Sequence, residues 1–290
     1  MGLGDAYKTS AKVFAQVTRR SNPDLLAQLD AIKEGDINVV PGAHDHVEEI
    51  LDALKIPYTM TGDNALERSI PGRVLFANCA SYGGPGGASY DPETSYKKRP
   101  LQDFVQRGGR LVTTDWALGL VTKTFPNHLY KTKETSDDVV EIQCHTPLAR
   151  RFIGMHYAEC HPKWWLEESS HIYRINNSTV TPIITSDEME RKYGQPYVAA
   201  GFKEGAGEVL HFISHFVLQR THQRSDSDRG GLESFLKKMN AKSSAGMIGG
   251  NVAELEAAYS TLNTVAHLCG TTPLLSDNTE TKSVLKKTRR

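Results

Sequence analysis

The chain has 290 residues, 39% of them hydrophobic, enough to bury a full core in one large domain or two small ones. Its 34 Lys and Arg balance 34 Asp and Glu, so net charge points to neither nucleic acid nor a membrane as partner; only the end of the chain, with Lys282, Lys286, Lys287, Arg289 and Arg290, is locally basic. No apolar run reaches the length of a bilayer span, and the polar N-terminal stretch does not read as a signal peptide. Together with four sparse cysteines (Cys79, Cys144, Cys160, Cys269) that read as reduced thiols, this leads us to expect a cytoplasmic protein.

Residues 8–34 read as helical: Val13, Phe14 and Val17 form one apolar group, Asn22-Pro23 makes a break, and Leu25, Leu26, Leu29 and Ile32 follow at helical spacing. A strand over 37–40 is closed by Pro41-Gly42. A helix over 46–54 carries Val47, Ile50, Leu51 and Leu54 on one face, and a second strand follows over 56–60. Next come a short helix (64–69), a third strand (73–78), the glycine-rich stretch 83–87 and a helix over 100–106. Gly108 and Gly109 end that helix, because glycine tolerates the left-handed conformation of a C-cap. Leu111 and Val112 open a fourth strand that turns abruptly at Asp115 into a helix over 117–121. Strands are expected at 139–144, 171–175, 180–185, 197–202 and 207–216, then helices at 232–239 and 252–267. In the last, Leu255, Ala258, Tyr259 and Leu262 make a single stripe.

Strand and helix alternating over short connections predict the α/β class: an open, mainly parallel sheet sandwiched by helices, flavodoxin-like, with extra helices at both ends. The expected organisation is an N-terminal helical extension (1–36), the α/β domain (37–270) and a flexible basic tail (271–290).

Ligands of an open parallel sheet bind at the carboxyl edge of its strands, where Asp115 is placed. It reads as a general base or ligand-binding carboxylate, or as a helix N-cap accepting from Leu118 or nearby N–H groups. Trp116 beside it lines that pocket or packs into the domain. Cys79, at the end of the third strand, reads as a nucleophile with His215 as its base, or as a small buried hydrophobe. No Gly-Lys-Ser/Thr follows the 83–87 stretch and it opens no helix as Gly-x-Gly-x-x-Gly, so neither a P-loop nor dinucleotide binding is expected. Gly83 and Gly84 read instead as part of a lid or connector facing the ligand. His44-Asp45-His46 offers potential metal ligands at the end of the first strand, and His44 and His46 adjoin the same edge as candidate ligand contacts. His211 and His215 lie four apart on one face of the late strand, with His215 closing it.

Cys144-His145, His156 and Cys160-His161 pack five potential ligands into eighteen residues. Their spacing fits no zinc template, and neighbours on a strand face opposite ways, so no metal is assigned there, and no cofactor anywhere. Trp164-Trp165 reads as a surface that stacks on sugars or anchors a partner, or as core packing.

Four features carry a likeness to a known family: Val39-Val40-Pro41-Gly42, the glycine-rich stretch after Asn78, the Gly-Gly-strand-elbow-helix of 108–120, and the late strand of 205–215 ending in His215. In their order, over roughly residues 36–220, the chain resembles the class I glutamine amidotransferase-like superfamily, particularly its trehalose-utilisation-protein-like branch. The resemblance implies an elbow whose helix dipole and backbone N–H groups favour a cysteine thiolate; here Asp115 occupies that position. A carboxylate does not take over thiol chemistry toward an amide, because its anhydride collapses back, so glutamine hydrolysis is not expected. The histidine that supports the nucleophile in the superfamily falls on His215. The leading expectation is therefore a pseudoenzyme: a non-catalytic amidotransferase-like module that binds a small ligand or protein partner at the Asp115 edge. One alternative is a hydrolase of a small carbohydrate or amide-like substrate, using Cys79 or an Asp115-activated water with His215. Another is a metal-dependent enzyme with His44, His46, Asp115 and His215 around one ion.

Overall fold

The computed structural model describes residues 3–61, 65–80, 97–157 and 160–275; the 83–87 stretch, with Gly83 and Gly84, and the basic residues near the end of the chain lie outside them. The first half alternates as its apolar pattern predicts. Helix α1 (Leu3–Ser21) breaks at Asn22, whose side chain accepts from Leu25 N–H and caps α2 (Pro23–Asp30). Then come β1 (Ile37–Val40), α3 (Val47–Leu54), β2 (Thr59–Met60), β3 (Val74–Ala77), α4 (Lys98–Gln106), β4 (Arg110–Thr114) and α5 (Leu118–Thr124). Every residue of β1, β3 and β4 is buried, the mark of parallel strands covered on both faces.

The second half is β5 (Leu129–Glu134), β6 (Asp138–Glu141), α6 (Pro147–Ile153), β7 (Lys163–Leu166), β8 (His171–Ile175), β9 (Thr181–Thr185), α7 (Asp187–Tyr193), β10 (Tyr197–Glu204) and β11 (Gly207–Phe212). Helices α8 (Asp226–Arg229), α9 (Leu232–Lys238) and α10 (Val252–Cys269) close the described chain. The main sheet has seven strands in the order β2-β1-β3-β4-β11-β10-β9. Its first five are parallel, and β10 and β9 extend it antiparallel. The expected α/β fold, with a mainly parallel sheet flanked by helices, is the observed one. The parallel part has the flavodoxin-like strand order, whose switch point lies between β1 and β3, where ligands of such sheets bind at the carboxyl ends of the strands.

Three details differ from the sequence reading. Strand β11 stops at Phe212, so His215 sits in the loop beyond the strand. Residues 129–175 hold two small antiparallel pairs, β5 with β8 and β6 with β7. Strand β5 escaped notice because only Leu129 in it is buried, and β7 because Trp164-Trp165-Leu166 shows no alternation. Helix α10 is buried on nearly all sides rather than along one stripe. Its polar residues tolerate this because Ser260, Thr261 and Thr264 donate to carbonyls of their own helix, while the Asn263 amide donates to Arg151 O and Phe152 O.

Two long-range ties fix opposite ends of the sheet. In α1, Tyr7 Oη donates to Phe216 O and accepts from Leu218 N–H, both at 2.9 Å, which fixes the segment after His215. At the opposite end of the sheet, Arg110 Nε donates to Glu208 Oε2 at 2.9 Å, and its guanidinium also reaches the carbonyls of Leu268, Gly270 and Thr272. Glu208 Oε1 accepts from Leu274 N–H and Leu275 N–H. Among the described residues no helix is long and apolar enough to cross a membrane.

Candidate functional site

Strand β4 delivers its chain to Asp115 with φ at 43°, the left-handed region that side-chain-bearing residues seldom occupy. A short 3-10 turn over Asp115–Ala117 then leads into α5. This is the abrupt elbow that the sequence predicts. A close approach brings a second segment in: a Cβ on Gly42 would run into the Cys79 carbonyl and Asn78, and Ala43 N–H donates to Cys79 O at 3.1 Å. Glycine at 42 therefore lets the turn after β1 lie against the end of β3.

The Asp115 carboxylate turns away from its own helix. Oδ1 accepts from His171 N–H at 2.9 Å, and Oδ2 accepts from the Ser170 hydroxyl at 2.9 Å and the Cys79 thiol at 3.6 Å. The expected N-cap is thus not formed; the carboxylate is held by the start of β8 instead. His215 Nε2 lies 3.4 Å from Asp115 Oδ2 and 3.5 Å from Glu167 Oε2. Neither approach is aligned as a hydrogen bond, and both imidazole nitrogens are buried without a partner. Cys79, Asp115 and His215 are each at most 1% exposed, and their donor atoms all lie within 4.8 Å of one another. The three residues that the sequence nominates for chemistry therefore meet.

Burial, reinforced by the Asp115 charge, pushes the Cys79 thiol well up, although Trp116 N–H on its sulfur acts the other way. A lone Cys79 is therefore protonated at neutral pH, the reverse of an activated nucleophile. For His215, burial opposes the charged form, but Asp115, Asp45 and Glu167 outweigh it and hold the imidazole above its ordinary value.

The remaining nominated residues separate into rim and exterior. His44 Nδ1 lies 3.6 Å from Glu167 Oε1, and its ring is 5.4 Å from Trp116. Trp116 stacks on His171 at 5.9 Å and donates Nε1–H to Ser169 O. His44 and Trp116 thus border the cluster on the Glu167 side. His46 turns outward to Glu48, 3.0 Å away, and Glu48 in turn accepts from the Asn78 amide. A set of His44, His46, Asp115 and His215 around one ion is not assembled. His211 faces Thr113 Oγ1 at 2.9 Å and the Tyr173 ring, and burial pushes its pKa down to about 3.

Cys144, His145, His156, Cys160 and His161 line one cavity of about 470 Å³, in which the Cys144 and Cys160 thiols hydrogen-bond and His161 pairs with Glu141 at 2.9 Å. Among the described residues, no three of these donors come close enough to share an ion. Trp164 and Trp165 are buried and donate to Ser260 Oγ and Asp137 Oδ1, so they pack rather than present a platform.

Sequence reasoning missed three members of the site and the role of a fourth, Asp45, which it read as a potential metal ligand beside His44 and His46. Asp45, fully buried, accepts from Phe216, Val217 and His46 N–H groups and so positions the segment that carries His215. Glu167 and Ser170 come from the turn between β7 and β8, and His171 opens β8. Their one signal is the polar run Glu167-Glu168-Ser169-Ser170-His171 directly after an apolar strand.

No protein-family model and no curated protein sequence matches this chain. Among solved structures it is similar to a cold-adapted β-galactosidase from Rahnella sp. R3 at 12% identity, over 63% of this chain and 29% of that one, with a TM-score of 0.44. It is also similar to a GMP synthase subunit from Thermoplasma acidophilum (10% identity, 64% and 84% of the two chains, TM-score 0.43). A third is a ThuA-like protein from Bacteroides uniformis (9% identity, 62% and 82%, TM-score 0.37). The chain spans less than a third of the galactosidase it resembles.

Proposed function

We propose that this protein is a hydrolase on an amidotransferase-like fold, acting at the Cys79–Asp115–His215 edge on a small carbohydrate or amide-like substrate other than glutamine. One observation carries the reading: a fully buried imidazole without a hydrogen-bond partner stands between two carboxylates at the carboxyl edge of the sheet. Leaving a buried polar group unpaired costs about 1–3 kcal/mol. Left-handed backbone at Asp115 costs a further amount on the order of 1–3 kcal/mol. A fold retained only as a scaffold sheds both costs by single substitutions, whereas a reaction centre keeps them.

In this reading Glu167, the partly exposed member, draws the proton from a water that attacks the substrate carbon, and returns it to the leaving oxygen or nitrogen as the bond to that atom breaks. Asp115 and His215 orient that water and balance developing charge, and His44 and Trp116 wall the approach. Cys79 is not the nucleophile, because burial and the neighbouring carboxylate oppose its thiolate.

The binding-module reading keeps one specific support: the Asp115 carboxylate already receives three donors, as a structural anchor does. A panel of chromogenic glycosides, esters and amides separates the two. The hydrolase reading expects turnover of at least one class, reduced about 100-fold or more in kcat by Glu167→Gln, with the folded state intact by circular dichroism. Absence of turnover across the panel with wild-type protein rejects it in favour of a module.

A further inference from the structure

We propose that Cys79 Sγ, Asp115 Oδ2 and His215 Nε2 bind one divalent transition-metal ion of the zinc class and leave its fourth position to water beside Glu167. The inference deepens the hydrolase reading and rests on it only for the use made of the metal.

Two of the three donor separations already match a zinc site, and all three lie within 4.8 Å. Four-coordinate zinc holds sulfur at about 2.3 Å and nitrogen or oxygen at about 2.0–2.2 Å, so neighbouring ligands in a tetrahedron stand about 3.3–3.6 Å apart. Here Sγ to Oδ2 is 3.6 Å and Oδ2 to Nε2 is 3.4 Å. This is the one grouping of three such donors among the described residues, and all three are buried. An independent sign is the His215 imidazole, 1% exposed, whose Nε2 lies 3.4 Å from Asp115 and 3.5 Å from Glu167 without an aligned hydrogen bond to either. A metal ion held with Asp115 satisfies that nitrogen, which neither nearby carboxylate engages in an aligned hydrogen bond.

The donor chemistry selects the class of ion. One thiolate, one imidazole and one carboxylate suit a borderline-soft ion, whereas magnesium and calcium take oxygen ligands. A bound dication also accounts for a thiol placed against a carboxylate in a dry site: coordination deprotonates the thiol, and the ion offsets both negative charges. The outer contacts that orient metal ligands are present too. Ser170 and His171 hold Asp115 through its two oxygens, and Trp116 N–H reaches the Cys79 sulfur. Three protein ligands with an open fourth position are the arrangement of catalytic rather than structural zinc sites. Glu167 Oε2, 3.5 Å from His215 Nε2 and on a side chain 27% exposed, is the neighbouring base.

The test is titration of chelator-treated, reduced, full-length protein with Co²⁺ and then Zn²⁺. The expected result is one equivalent bound, with thiolate-to-cobalt charge-transfer absorption and tetrahedral d–d bands that Zn²⁺ displaces. Cys79→Ser should abolish the charge-transfer band and weaken binding at least about 10-fold, the smaller loss seen when even an outer partner is removed. Glu167→Gln should bind metal normally. If folded wild-type protein takes up no stoichiometric Co²⁺, or binds it without the thiolate band, the inference is overturned, whether or not any variant folds. Metal bound without hydrolysis of any substrate leaves the metal site standing and removes the hydrolase reading. Hydrolysis by protein shown to be metal-free leaves the hydrolase reading standing and removes the metal from its mechanism.

Discussion

Replacing Glu208 by Ala tests how the far end of the sheet is held. Arg110 and Glu208 open adjacent strands β4 and β11, and their side chains are only 8% and 7% exposed. Truncation leaves the guanidinium facing the carbonyls of Leu268, Gly270 and Thr272 with no anion beside it. It also removes the acceptor of Leu274 N–H and Leu275 N–H, so the chain after α10 loses its anchor. Breaking one partner of a buried ion pair costs about 3–5 kcal/mol. The two freed N–H groups overlap with that figure, because the segment carrying them can shift toward water. In urea unfolding at neutral pH, with a slope of roughly 1–3 kcal/mol per molar, the midpoint should fall by about 1 M or more. Cobalt binding by the folded protein should be unchanged, since the cluster lies at the opposite ends of the same strands. A combined Arg110→Met, Glu208→Leu variant should recover the ionic share of the loss but not the lost acceptor. A Glu208→Ala cost under about 1 kcal/mol, the range of an exposed pair, refutes the reasoning.

Other expectations are more local. Burial, then Arg151 and Arg110, push the His267 pKa down to about 3, so its neutral form stabilises the fold. That share is complete above about pH 6.5 and lost as the pH falls toward 3, so His267→Gln should flatten the stability slope in this window, read by urea unfolding at several pH values. The Cys160 hydrogen bond draws the Cys144 thiol below its ordinary value, whereas burial pushes Cys269 up to about 12. Alkylation with peptide mapping should therefore label Cys144 first, with Cys79 and Cys269 labelled only on unfolding; early labelling of Cys269 contradicts its burial. Gly42→Val should displace the end of β3 and weaken metal binding, because its side chain meets the Cys79 carbonyl. Ser170→Ala should weaken Co²⁺ binding about 10- to 100-fold while keeping the thiolate band, as loss of an orienting partner does.

What the sequence disclosed follows the range of its signals. Strands β1, β3 and β4 announce themselves as buried apolar runs between turn residues, and the elbow at Asp115 follows from Gly108-Gly109 and the strand after it. Cys79, Asp115 and His215 were legible because each ends or follows such a run, and parallel topology carries those ends to one edge. Glu167, Ser170 and His171 were not, because the β5–β8 excursion docks onto the elbow across about fifty residues of chain with no local pattern to announce it. The anchoring role of Asp45 was hidden for a similar reason: its partners, Phe216 and Val217, lie far along the chain. The polar residues of α10 concealed its burial, since hydroxyls that bond back to their own helix read as a solvated face.

The most direct measurement is anomalous diffraction at the zinc edge from crystals of protein purified without chelator. A single strong peak is expected, bounded by Cys79 Sγ, Asp115 Oδ2 and His215 Nε2, with a water completing the coordination beside Glu167. No peak there, with His215 instead closing to a direct hydrogen bond on Asp115, would contradict the metal site.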